Sequence, residues 1–129
     1  MIIIARIRFD CLTRYVESYL PHLPRDPIYA RNKGENNREL GLPKTNMIIY
    51  EIRRDVKTND ISPFLFELQG IFAGYENGID ALVDDNARVL FSLDIKDDLE
   101  EISPAVFFPS SFIKFLSKIN SDVEVGYDD

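Results

Sequence analysis

The sequence predicts an α+β fold: a largely antiparallel sheet of about four to five strands with about three helices packed on one face. Three observations predict it. Residues 2–9 (IIIARIRF) and 122–127 (DVEVGY) place apolar and charged side chains in alternation, the period of two that gives a strand one buried and one solvated face. Phe112, Phe115, Leu116 and Ile119 recur at i, i+3, i+4 and i+7, which gathers them on one side of a helix. The elements run β-α-β-β-α-β-α-β, a mixture of hairpins and helices with no internal repeat and no linker.

Within 2–9, Ala5, Ile7 and Phe9 share one face, Arg6 and Arg8 the other, and the β-branched isoleucines favour a pleated surface. Asp10 then reads as the cap of a first helix, with Leu12, Tyr15, Val16 and Tyr19 at helical spacing and Pro21 as its stop. Segment 21–45 is rich in Pro, Gly and Asn. It holds a short strand at Ile28–Arg31, a turn at Asn32-Lys33-Gly34 and a loop over 35–45. Asn46–Arg53 (NMIIYEIR) is a strand.

Ser62-Pro63 marks a helix start, a hydroxyl cap followed by proline where its missing N–H costs nothing. Phe64, Leu65, Leu68, Ile71 and Phe72 form its apolar face, and Gly70 and Gly74, spaced as in G-x-x-x-G, point to close packing. A short helix follows over Gly78–Val83, closed by the turn Asp84-Asp85-Asn86, and Ala87–Ile95 is a strand. Lys96–Pro104 is an acidic turn region, Ala105–Phe108 a short extended run, and Pro109-Ser110-Ser111 opens the last helix. In 122–127, Val123 and Val125 point inward and Asp122 and Glu124 outward.

A chain of 129 residues fits one domain, and 45% apolar residues with nine Phe and six Tyr suffice for an ordered core. The single cysteine, Cys11, excludes an intramolecular disulfide and a multi-cysteine metal cluster. The apolar start precedes its charges and is broken by Arg6 and Arg8, unlike a signal peptide, and no stretch reaches the roughly 20 apolar residues of a membrane span. A complete, cytoplasmic chain is the expectation.

Charge is distributed unevenly. Residues 1–75 hold 11 basic and 9 acidic side chains, net +2, whereas residues 76–129 hold 4 and 13, net −9, within a total of −7. An acidic half of this size argues against phosphate-backbone binding, which needs Lys and Arg to displace counterions. It favours solubility, as a solvated acidic face, or a basic protein partner steered in by the field. The basic group Arg25, Arg31, Lys33, Arg38 and Lys44, with Tyr29, is interleaved with Glu35 and Glu39 and reads as a solvated loop.

No residue set makes a catalytic or cofactor site. His22 is the only imidazole, and a general base needs a partner within hydrogen-bond reach. Cys11, placed early in a first helix, would have its thiol pKa lowered by the helix dipole. A continuous helix would hold it ~16 Å from His22 by helical rise. The run Asp94-Ile95-Lys96-Asp97-Asp98-Leu99-Glu100-Glu101 supplies oxygen ligands but lacks the EF-hand spacing and its glycine. The glycines form neither a P-loop nor a dinucleotide fingerprint. The expectation is no enzyme, no metal and no cofactor.

Residues 108–127 (FPSSFIKFLSKINSDVEVGY) and Arg31-Asn32-Lys33-Gly34 resemble the C-terminal signature and the second-strand turn of a family of domains of unknown function numbered 4279. The resemblance implies a small cytosolic α+β protein without enzymatic activity, and some family members look like immunity proteins of bacterial toxin systems. The functional expectation is therefore an acidic neutraliser of a basic toxin domain, a nuclease above all. Its partner-binding residues would be Asp84, Asp85, Asp94, Asp97, Asp98, Glu100 and Glu101. The alternative is a non-enzymatic interaction module, a homodimer through an exposed strand edge being one form. Oligomeric state is open at this point.

Overall fold

The computed structural model describes residues 1–34, 45–57, 60–96 and 106–128. Five strands, β1 (Ile2–Cys11), β2 (Tyr29–Arg31), β3 (Asn46–Asp55), β4 (Arg88–Lys96) and β5 (Ser121–Asp128), form one open sheet in the order β2-β3-β1-β4-β5. Three pairings are antiparallel; β4 and β5 run parallel, joined by a crossover through a helix. The helices are α1 (Ser62–Ile71), α2 (Glu76–Asp84) and α3 (Ser110–Lys118). The α+β class and the mostly antiparallel sheet are as the sequence predicts. No helix among the described residues is long and apolar enough to cross a membrane.

The period of two decides which face is covered. Ile3, Ala5, Ile7 and Phe9 of β1 share one side with Ile48, Tyr50 and Ile52 of β3 and Val89, Phe91, Leu93 and Ile95 of β4. All are buried, together with Leu65, Leu68 and Phe72 around α1, Ile79 and Leu82 of α2, and Phe112, Leu116 and Ile119 around α3. A continuous run of ring contacts ties sheet to helices. Tyr50 meets Phe72 at 5.1 Å and Phe72 meets Phe115 at 5.9 Å. Phe115 meets Phe112 at 6.0 Å and Phe112 meets Phe91 at 5.1 Å. The Tyr50–Phe72 and Phe112–Phe91 pairs are edge-to-face and the other two tilted, and such ring pairs add to simple area burial.

Several expectations are corrected. The first helix does not exist. β1 continues through Asp10 and Cys11, whose ladder partners are Met47 and Asn46, and two short 3-10 turns follow at Val16–Ser18 and Leu20–His22. The Asp10 carboxylate is occupied as a strand residue, pairing with Arg8 at 3.2 Å and accepting from the Thr45 hydroxyl at 3.2 Å, so it caps nothing. Pro21 sits in the first turn of the second 3-10 segment and does not act as a terminator. Val16 and Tyr19 are buried while Leu12 and Tyr15 are exposed, a three-residue spacing that a 3-10 turn satisfies as well as an α-helix.

Ser62 does not cap α1. Its own backbone N–H donates to the Asp60 carboxylate at 3.0 Å, so the capping group lies two residues earlier. Gly70 has open space around it, not a close neighbour, and Gly74 (φ 87°) makes the turn after α1, so neither serves close packing. Of the expected extended run Ala105–Phe108, Ala105 lies outside the described residues; Val106, Phe107 and Phe108 form no helix or ladder, and Phe108 packs on Phe91 at 5.8 Å. Val123 and Val125 lie on the helix side of the sheet, as their parity requires, yet remain 47% and 37% exposed. The expected loop over 35–45 lies, except for Thr45, outside the described residues.

Candidate functional site

Cys11 and His22 do not make a dyad. Cys11 is a buried strand residue, not the start of a helix, and its thiol is pushed up to about 12 by burial and by the Asp10 and Asp85 carboxylates. A thiol so displaced is a poor nucleophile at neutral pH. His22 is exposed, and its backbone is what matters structurally: the helix α2 approaches it so closely at Gly78 that a Cβ there would lie 1.9 Å from the His22 carbonyl oxygen. Among the described residues no group of three His, Cys, Asp or Glu side chains could hold a metal.

The anticipated acidic residues fall in separate places. Asp85, at the end of α2, is half-buried and occupied: it accepts from the Tyr19 hydroxyl at 2.7 Å and pairs with Arg14 at 3.3 Å. This clamp fastens α2 to the segment after β1, and burial with the Asp85 contact raises the Tyr19 pKa. Asp84 is exposed on the last turn of α2. Asp94 lies on the opposite, open face of β4, six residues or roughly 20 Å along the strand from its start. Asp97, Asp98, Glu100 and Glu101 lie outside the described residues.

Two carboxylates not anticipated as binding residues join Asp84. Glu76, Asp80 and Asp84 recur at i, i+4 and i+8 along one exposed ridge of α2, a helix without a cationic residue. Like charges at this spacing destabilise a helix by about 0.2–0.5 kcal/mol per pair, and only Glu76, in the first turn, is placed where the helix dipole favours a carboxylate. Glu76 is partly satisfied: its own backbone N–H, the Gly74 N–H at 3.1 Å and nearby Lys118 hold its carboxyl below the usual range. Among the described residues Asp80 and Asp84 form no ion pair. The repeat of acidic residues four apart (Glu76, Asp80, Asp84) was the signal available in the sequence. Asp122 and Glu124 add exposed carboxylates on the open face of β4 and β5, opposite Leu90 and Ser92, whereas Asp94 stands opposite Gly126.

The ridge borders a groove of about 460 Å³ where α1, α2 and α3 converge. Its floor is apolar, with Phe72, Ile79, Phe115 and Ile119. Phe66 stands on its wall 46% exposed, and Glu76, Asp80, Ser111 and Lys118 supply polar groups. Gln69 also lines it, and its Oε1 is shielded from solvent with no hydrogen-bond partner among the described residues. A shielded acceptor left unpaired costs about 1–3 kcal/mol. The volume falls in the range of ligand pockets. An apolar floor with an acidic rim suits a donor-bearing, amphipathic group.

Comparison of the chain with protein-family models, with curated proteins and with solved structures finds no match in any of the three. The functional reading therefore rests on the geometry above.

Proposed function

We propose that this chain works by binding, not catalysis, and that its acidic helix surface docks a basic protein partner in the manner of an immunity protein neutralising a nuclease toxin. The observation that carries the proposal is the α2 ridge of Glu76, Asp80 and Asp84 beside an apolar groove. Interfaces combine a desolvated apolar centre with a polar rim, and a rim of one sign selects partners of the other sign. A nuclease must bind a polyanion, so its cleft is basic, and an acidic ridge can occupy it.

The test is co-purification from the native host with the wild-type chain and with the triple variant Glu76→Gln/Asp80→Asn/Asp84→Asn. The proposal expects one basic protein retained by the wild type and lost by the variant, with both chains equally folded by circular dichroism. Recovery of the same partner by both would rule the ridge out.

A second reading, self-association through the sheet edge, is favoured by one observation: the eight-residue edge strand β5 leaves Val123 and Val125 half-exposed. Sedimentation velocity separates the two. A dimer abolished by Val125→Lys supports the edge, and a monomer at all concentrations rejects it.

A further inference from the structure

We infer that the groove among α1, α2 and α3 is a receptor for a guanidinium group, an arginine side chain presented by the basic partner. The inference rests on the binding reading above and goes further by naming the anchor and its chemistry. Three acceptors line one groove: the Gln69 Oε1, which has no partner among the described residues, and the Glu76 and Asp80 carboxylates one helical turn apart. The groove supplies Lys118 and Ser111 as side-chain donors near the rim. A ligand that completes this set must bring several N–H donors and positive charge.

Guanidinium fits better than ammonium. Its five N–H groups lie in a plane and can reach acceptors on different helices at once, whereas an ammonium is a compact, strongly hydrated point charge. Its aliphatic stem would lie on Phe72 and Ile79, and its flat face would stack on Phe66, which stands exposed on the groove wall. The charge is complementary at one end only. Lys118 acts on Glu76 and opposes a second cation there, so the guanidinium is placed toward Asp80, which has no ion pair among the described residues. An anionic ligand would meet Lys118 but would also face both carboxylates and leave the Gln69 oxygen without a donor.

The experiment titrates the isotopically labelled full chain with N-acetyl-arginine amide, N-acetyl-lysine amide and N-acetyl-citrulline amide, followed by NMR. Citrulline keeps the shape and loses the charge. The inference expects saturable shifts from the arginine compound at Gly70, Ala73 and Asp80 and at the Gln69 side-chain amide. The dissociation constant should be about millimolar for so small a ligand. Citrulline should bind at least about threefold more weakly, Asp80→Asn should weaken arginine by about three- to fivefold, and Lys118→Ala should tighten it. Equal shifts from arginine and citrulline, shifts confined to other surfaces, or an Asp80→Asn variant that binds arginine unchanged would each overturn it. These outcomes are independent of the partner experiment. Loss of arginine binding while partner capture still depends on the ridge removes the groove and leaves the docking proposal. Arginine binding without partner capture does the reverse.

Discussion

Cys11 shows how a strand position changes the chemistry of a side chain. As a residue at the start of a helix it would be an activated thiol, but as the last residue of β1 it is inside the core with two carboxylates near it. Its folded-state pKa of about 12 stands above the ordinary thiol value of 9.0, so the folded state favours the neutral thiol. The stability this contributes is complete below pH 9 and is lost as pH rises towards 12. Each pH unit in that window removes about 1.4 kcal/mol at most from this group. Tyr19 and Tyr50, both raised first of all by burial, act with the same sign at the alkaline end. Urea unfolding from pH 8 to 11 should therefore show a falling stability whose slope is shallower in Cys11→Ala. That variant should also carry a pH-independent loss from the small cavity. Equal slopes in the two chains would remove the thiol from the account.

Asn32 is the other residue whose role was hidden in the sequence. It is 9% exposed, accepts the Val16 backbone N–H at 2.9 Å, and donates to the two Glu17 carboxylate oxygens at 3.0 and 2.9 Å. One side chain thus closes the first 3-10 turn from 16 residues away. Asn32→Ala strands a buried N–H, and should cost about 1–3 kcal/mol, read as a shift of the urea midpoint. A change below a few tenths would mean the turn holds without it. In the sequence Asn32 reads only as a turn residue before Gly34, because nothing local shows which backbone its amide meets.

At the scale of elements, the strands and the helices α1, α2 and α3 were legible because their periodicity runs over several residues and the packed layer confirms it. The missing first helix was not. Its apolar spacing is shared by strand end and 3-10 turn, and the choice was made by β3, whose Asn46 and Met47 extend the ladder to Cys11 and Asp10. Val123 and Val125 show the complementary limit: alternation assigns a face but does not say whether a helix lies over it. The approach of α2 to the second 3-10 turn offers a sharp test. Gly78→Ala would press a methyl group into the His22 carbonyl, a backbone obstacle that cannot rotate away. Gly126→Ala would meet only the end of the Asp94 side chain at 2.8 Å, which can turn aside. The first should destabilise by about 1–3 kcal/mol, the second by distinctly less, in the same denaturation assay. The reverse order would show that α2 packs differently.

Across the whole molecule, topology turns an uneven sequence into an uneven surface. The basic first part supplies β1, β2 and β3, on one side of the sheet, and the acidic remainder supplies β4 and β5 at the other, while α2 packs against the segment that follows β1. The net −9 of residues 76–129 was plain from composition, but its focus was not. Of the expected binding residues, Asp85 holds the fold together and Asp94 faces away from Asp84 across the sheet, while Glu76 and Asp80 complete the ridge. The groove beside that ridge is made by the consecutive helices α1 and α2 together with the distant α3, and no local pattern announces it.

The central claim is that this ridge attracts a basic partner. The most direct measurement is the stopped-flow association rate of the co-purified partner at 10 and 150 mM salt, where the screening length shortens from about 30 to about 8 Å. With the wild-type chain the rate constant should fall by about tenfold or more between the two, and in Glu76→Gln/Asp80→Asn/Asp84→Asn it should be low and nearly independent of salt. A wild-type rate that ignores salt, or a variant that keeps the full salt dependence, would contradict the account.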